Sequence, residues 1–269
     1  MVFKEDIAAA LKEVGLSEGE TVLFHSSLKS FGYVEGGADS VISAFLDVVT
    51  DTGTVLAPTL CQKEFQDAYM TWHINKPSDT GFITEVFRKR PDALRSDQAT
   101  HSVAAVGKKA EFYTKDHGSD GLRIGIFGYT PFAAVSPWQK LYDDNAMIVF
   151  LGVGFESCTI KHLIEYHLVE HVLSLAQKKN EYDKYASLVC RFDTRRWREN
   201  YMWPYIKPEK IEEFVIRENL IKTVMCGNSK ITAVRAKDFG EMIFKDILND
   251  TKKWYEHYPK ALDWLTLNV

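Results

Sequence analysis

The chain has 269 residues, 45% hydrophobic and 26% charged, with a formal net charge of -4; these are ordinary globular values, with length enough to bury a sizeable core. Lysines and arginines are spread among acids, which argues against a nucleic-acid partner, and no apolar run approaches the roughly 20 residues that span a bilayer. Cys61, Cys158, Cys190 and Cys226 are widely spaced with no Cys-x-x-Cys, and Met1 to Ile7 carries charge where a signal peptide needs an apolar core, so the simplest reading is a cytoplasmic protein without a zinc site or disulfide framework.

In chain order, Phe3 to Val14 carries Ile7, Ala8, Leu11 and Val14 at amphipathic-helix spacing, and Gly15 ends it. Glu20 to His25 is a predicted strand that runs directly into Ser26-Ser27-Leu28. Gly36-Gly37 opens a second helix, with Val41, Ile42, Phe45, Leu46 and Val49 on its apolar side, and after the turn Thr50 to Gly53 a second strand covers Thr54 to Thr59. Strand, helix, strand predicts a parallel crossover with helices packed on a sheet.

Cys61 to Thr80 lacks periodicity and reads as a long surface loop in which Tyr69, Trp72 and His73 could line a pocket. Gly81 to Arg90 is a predicted helix, His101 to Gly107 a strand, Lys109 to His117 a helix and Gly118 to Pro131 a glycine-rich loop. Ser136-Pro137 starts a helix, serine as N-cap and proline at the first helical position. Further on, the predicted elements are a strand over Ala186 to Phe192, a helix over Glu209 to Asn219, a strand over Lys230 to Val234 and a helix over Ala236 to Asn249. No Gly, Pro or Ser linker interrupts them, so the chain is expected to form one domain over residues 1–269.

The chemistry concentrates between Ala146 and His171. The apolar run from Ala146 to Gly154 is a buried-strand candidate; Phe155 to Thr159 carries turn and capping residues; Ile160 to His171 is a predicted helix. Thr159, His162 and Glu165 are three apart and so share one helix face. A neutral imidazole at His162 can take a proton from an incoming nucleophile, and a carboxylate at Glu165 can fix its tautomer. The bland alternative is a solvated polar face. Glu170, His167 and His171 crowd the same helix, but His162 lies on a different face from His167 and the zincin pattern is absent, so a metal site is not expected. Cys158 could be a nucleophile with His162 as its base, although a lone cysteine at a strand end is more often a small buried hydrophobe. His25, at the end of an apolar strand, reads as a structural hydrogen-bonder. The Ser26-Ser27 turn reads first as a serine cap at a strand end, and it also offers hydroxyls and backbone N–H groups to an anion.

A set of short motifs lies along about the first 170 residues, in this order: Val22-Leu23-Phe24-His25-Ser26-Ser27-Leu28; Gly36-Gly37; Gly53-Thr54-Val55 with Pro58-Thr59; Thr100 to Gly107; Thr130-Pro131-Phe132 with Ser136 to Leu141; and Leu151-Gly152-Val153 with Thr159-x-x-His162-x-x-Glu165. Together they resemble the aminoglycoside 3-N-acetyltransferase family of acetyl-CoA-dependent enzymes. The resemblance implies a three-layer α/β/α sandwich around a mixed sheet, no metal, and direct transfer from a bound acyl-CoA to the amine of a small molecule without an acyl-enzyme; it leaves a homo-oligomer open. By the same resemblance Ser26, Ser27, Leu28 and Lys29 would hold the phosphate and pantetheine region of coenzyme A, with Thr59, Ser102 and Val103 nearer the thioester. His162 would deprotonate the amine, Glu165 would orient it, and Thr159 would lie beside the thioester.

Two stretches depart from the family. Arg95 is followed by Ser96-Asp97-Gln98-Ala99 where the family usually has His-Pro, and Arg195, Arg196 and Arg198 cluster in the expected acceptor region. The arginines read equally as a solvated charge run or as a surface that would repel a polycation, and on the second reading a nucleotide-linked, anionic amino sugar is the alternative acceptor. A third reading, from another class, is a relative that binds but no longer catalyses; retention of His162 and Glu165 speaks against it.

Overall fold

The computed structural model describes residues 1–63, 68–117, 131–184, 186 and 203–255, and for Tyr69 only the backbone. The first half of the chain forms α1 (Lys4–Glu13), β1 (Thr21–Ser26), α2 (Gly37–Val49), β2 (Thr54–Pro58), α3 (Ala68–Thr71), α4 (Phe82–Arg88), β3 (Leu94–Arg95), β4 (Val103–Gly107) and α5 (Ala110–Thr114). The second half adds α6 (Pro137–Asp143), β5 (Met147–Leu151), α7 (Lys161–Lys178), α8 (Pro208–Arg217), β6 (Lys222–Cys226), β7 (Ser229–Arg235), α9 (Ala236–Asn249) and α10 (Thr251–Trp254).

All seven strands join one sheet in the order β3-β4-β2-β1-β5-β7-β6. β1 pairs in parallel with β2 on one side and β5 on the other, while the flanking pairings are antiparallel. Side chains alternate across a strand, and this alternation divides the core in two. Leu23, Leu56, Ile148 and Phe150 face one core with α5 to α10; Val22, Phe24, Val55, Ala57, Val149 and Leu151 face the other with α1, α2 and α4. Burial on both faces explains why β2 and β5 are apolar throughout rather than alternating. The expected three-layer α/β/α architecture around a mixed sheet is therefore present.

The structure corrects several boundaries. The helix read over Ile160 to His171 continues to Lys178, because Leu168, Val169, Val172, Leu173 and Ala176 carry its buried stripe onward. Two strands escaped the sequence reading. β3 is only two residues long, and β6 is an edge strand whose Lys222, Thr223 and Met225 are exposed, so neither shows apolar alternation. The predicted loop 118–131 lies outside the described residues except for Pro131. So does the strand read over 186–192, except for Ala186, which is helical and buried.

Topology places the site. The chain leaves β1 toward β2 and later returns to β1's other side as β5, so the carboxyl ends of three parallel strands meet a reversal of strand order, where open α/β sheets form their binding crevices. Gly152, just past β5, has φ +64°, and a Cβ there would lie 1.9 Å from Ser30 Oγ. Ser30 in turn contacts Ser229 Oγ at 2.8 Å and donates to Ser27 O at 2.7 Å, tying the turn after β1 to β7. Gly152→Ala is expected to cost about 2–4 kcal/mol, from the left-handed backbone and the overpacked Ser30. A shift in urea midpoint measures it; an unchanged midpoint would contradict the close packing.

Candidate active site

A cavity of about 300 Å³ opens at these strand ends. β1 contributes His25 and Ser26, β2 contributes Pro58, and the segment between β5 and α7 contributes Cys158 and Thr159, with His162 following on the first turn of α7.

His162 and Glu165 stand one turn apart. His162 Nδ1 lies 2.9 Å from Glu165 Oε2, with the His162 side chain 23% exposed and the Glu165 side chain 1% exposed. The carboxylate is held from three directions. Trp203 Nε1 donates to Oε2 at 2.9 Å, and the Ile206 backbone N–H donates to Oε1 at 2.9 Å. A carboxylate oxygen only accepts, so the contact assigns the proton to Nδ1 of a neutral His162 and the lone pair to Nε2. That is the tautomer a general base needs. The ring packs between Phe132 and Tyr205, with centroids 5.8 and 6.1 Å away. Beside it the buried Lys161 places Nζ 3.8 Å over the Tyr205 ring and donates to Ile206 O. Lys161 and Glu165 thus grip the same 205–206 strap from one helix.

His101 also lines the cavity. Thr100 Oγ1 lies 2.8 Å from its Nδ1, and Gln62 Nε2 lies 3.1 Å from its Nε2. Burial, with smaller contributions from His162 and His117, pushes its pKa down to about 3. Gln98, which stands in the stretch that departs from the family, accepts from the backbone N–H groups of Thr100 and His101 and so shapes this turn. Behind it, His117 Nε2 donates to Pro131 O while Ser96 Oγ donates to its Nδ1, and burial lowers His117 to about 4.

The remaining sequence-derived candidates fall in three places. Thr159 is buried at the cavity, next to Cys158, whose thiol is pushed up to about 12 by burial. A thiol so high is protonated at neutral pH, and the cysteine-nucleophile reading loses its thiolate. Ser26 lines the cavity, but the Ser27 N–H is spent on Leu151 O, Leu28 packs on the second core, and Lys29 is exposed. Thr59, Ser102 and Val103 are fully buried and do not line the cavity. Thr59 Oγ1 and Ser102 Oγ are 3.0 Å apart and each lies 3.2 Å from Arg95 Nε. The same guanidinium donates to Thr59 O, Ile74 O and Lys76 O and lies over Trp72, pinning residues 72–76. His73 in that loop is exposed. His167 and His171 do not converge with His162: His167 contacts Gln139 and Tyr142, and His171 meets the edge of Phe244. Among the described residues no group of three His, Cys, Asp or Glu side chains is arranged to hold a metal. Arg195, Arg196 and Arg198 lie outside the described residues.

The family model described as aminoglycoside 3-N-acetyltransferase matches residues 23–246. The chain belongs to the aminoglycoside 3-N-acetyltransferase family. It is 33% identical over 186 residues to the SPbeta prophage-derived aminoglycoside N(3')-acetyltransferase-like protein YokD of Bacillus subtilis (strain 168), covering 61% of this chain and 65% of that protein. It is 30% identical over 185 residues to aminoglycoside N(3)-acetyltransferase VII of Streptomyces paromomycinus, covering 61% and 60%. The matched stretches thus span less than two thirds of these curated relatives. Solved members share the fold: apo AAC(3)-IVa superposes with a TM-score of 0.69 at 18% identity, covering 100% of this chain and 98% of that one. AAC-IIIb in a binary complex with CoASH gives 0.68 at 18% identity, covering 96% and 100%.

Within this member of the family, sequence reasoning missed Trp203, Tyr205 and Ile206. Trp203 is 38 positions from Glu165, so no local spacing links them; the aromatic, proline-containing Trp203-Pro204-Tyr205 was the only cue. It also passed over His101 in favour of its neighbour Ser102.

Proposed function

We propose that this chain is an acetyl-CoA-dependent N-acetyltransferase that acetylates an amine of an aminoglycoside or a related amino sugar, with His162 as general base. The observation that carries this reading is the Glu165–His162 pair in the cavity: a buried carboxylate also held by Trp203 and Ile206, and a part-exposed imidazole whose Nδ1 lies 2.9 Å from it. Family membership and the printed activities of the relatives support the donor and the acceptor class. One solved relative of the same fold is a complex with CoASH.

In this mechanism His162 Nε2 takes the proton from the attacking amine as its nitrogen bonds to the thioester carbonyl carbon. The carbonyl π pair moves onto oxygen, then returns as the C–S bond breaks, releasing the amide and the thiolate; the proton held by His162 passes to the sulfur. Glu165 keeps the imidazole oriented and stabilises the imidazolium between the two transfers. Thr159 sits beside the thioester as a polar contact. Ser26 with the turn Ser27-Leu28-Lys29 receives the pantetheine and phosphate region, while Thr59 and Ser102, buried against Arg95, and the buried Val103 shape the wall behind the thioester rather than touching it. Holding donor and amine together in one cavity supplies further rate by proximity.

The test is free-thiol release from acetyl-CoA against a panel of aminoglycosides, amino sugars and nucleotide-linked amino sugars. His162→Ala is expected to lower kcat about 10²–10⁴-fold with the KM for acetyl-CoA little changed. Full activity in that variant would sink the general-base assignment. Turnover on a nucleotide-linked amino sugar with silence on every aminoglycoside would move the acceptor to the anionic class that Arg195, Arg196 and Arg198 suggest.

A further inference from the structure

One group at the cavity is left over by this mechanism. His25, the penultimate residue of β1, is 5% exposed, stacks on Phe150 at 5.3 Å with a 12° interplanar angle, and lines the cavity with Thr159 and His162. The sequence reading made it a structural hydrogen-bonder, yet its Nε2 is buried without a hydrogen-bond partner among the described residues. Buried polar atoms are nearly always satisfied, and an orphan at a cavity wall calls for an explanation.

We propose that His25 is a second catalytic histidine, whose Nε2 donates a hydrogen bond to the thioester carbonyl oxygen as negative charge develops there. This rests on the acetyl-transfer reading above. Burial holds the imidazole down to about 3, so it is uncharged at working pH. It therefore cannot act as the base that His162 supplies, but a neutral imidazole N–H donates without losing its proton. The carbonyl oxygen is the reaction's acceptor in need of a donor: as the amine nitrogen bonds to the carbonyl carbon, the π pair comes to rest on that oxygen, and it leaves again when the C–S bond breaks. A preorganised donor in a water-poor site favours that state over the ground state. No proton changes hands at His25 in either step. Rigid placement comes from β1, whose His25 pairs in register with Phe150 at the centre of the sheet.

The experiment compares His25→Phe, which keeps a ring to stack on Phe150 and deletes the donor, with His25→Gln, which returns an N–H to about the same reach. His25→Phe is expected to lower kcat about 10²–10³-fold, the size of losing one oxyanion donor, with the KM for acetyl-CoA within about threefold and a melting temperature that does not fall. His25→Gln is expected to recover at least tenfold of the loss. Full kcat in His25→Phe overturns the proposal, as does a raised KM with kcat retained, which would place the nitrogen on the pantetheine arm. Imidazole ¹⁵N spectra of the wild-type chain, assigned by the His25 variants, give a readout independent of turnover. Acetyl-CoA is expected to move the His25 Nε2 signal. If the wild type transfers acetyl to no amine, the acetyl-transfer reading fails; an unmoved His25 signal with acetyl-CoA bound is the failure of this inference alone.

Discussion

Glu165→Gln is expected to abolish most activity and to destabilise the fold, although the side chain changes by one atom. The carboxylate accepts three hydrogen bonds: from His162 Nδ1 and Trp203 Nε1 at Oε2, and from the Ile206 N–H at Oε1. A glutamine has one acceptor oxygen and one donor NH₂. If the NH₂ takes the Oε2 position it faces the Trp203 donor and forces His162 Nδ1 to accept, which moves the imidazole proton to Nε2 and removes the lone pair that the proposed general base requires. If the amide flips, the NH₂ meets the Ile206 N–H. Each orientation leaves at least one buried donor against another. The wrong-tautomer outcome is worth about 10⁴ in kcat where an orienting carboxylate becomes an amide in a catalytic triad. The unmatched donor adds a stability loss of about 1–3 kcal/mol, read as a lowered urea midpoint. A Glu165→Gln protein with wild-type kcat would mean that the amide keeps its oxygen on His162 Nδ1; Glu165→Leu, which has no acceptor, is then expected to lose kcat, and full kcat in that variant would show that Glu165 does not set the tautomer. A Glu165→Gln protein that loses kcat but keeps its midpoint would show that Trp203 and Ile206 find other acceptors.

Acid is expected to unfold the protein well before its carboxylates are all protonated. His25 and His101 are held down to about 3 and His117 to about 4, in each case chiefly by burial, against about 6.5 in an unfolded chain. The folded pKa lies below the unfolded one, so below pH about 6.5 the unfolded chain binds up to three more protons than the native one. Stability from these groups is fully present above that pH and falls with acidification until the folded values are reached. Each histidine contributes a slope of about 1.4 kcal/mol per pH unit. Over about two units, three of them remove roughly 8 kcal/mol, comparable to the whole stability of a domain. Unfolding is therefore expected between about pH 4 and 5, followed by circular dichroism, and urea midpoints should already fall between pH 6.5 and 5. Midpoints that stay level over that interval would mean that the three imidazoles titrate in the native state. Glu85, lowered to about 2 against burial by Arg88, Lys89 and the Ser78 N–H, adds its own loss only below about 4.5, so the two contributions separate in pH.

What was legible in the sequence is what neighbouring residues determine by themselves. Val22 to Phe24 and Met147 to Leu151 are apolar without interruption, which suffices for strands buried on both faces, and the i, i+3 spacing of His162 and Glu165 follows from helix geometry alone. The ordered motifs carried the family assignment that the match over residues 23–246 makes. Tertiary structure decided the rest, because it depends on contacts between distant segments. β6 exists only because β7 pairs with it; its own exposed side chains carry no strand pattern. Thr59 and Ser102 are polar and surface-compatible in sequence, and only their contacts with Arg95 in the folded chain account for their full burial. Glu165 reads in sequence as one more helical acid. It becomes a buried, triply bonded anchor when Trp203 and Ile206 fold back onto α7, since a carboxylate can be desolvated only where donors from elsewhere in the chain replace its water.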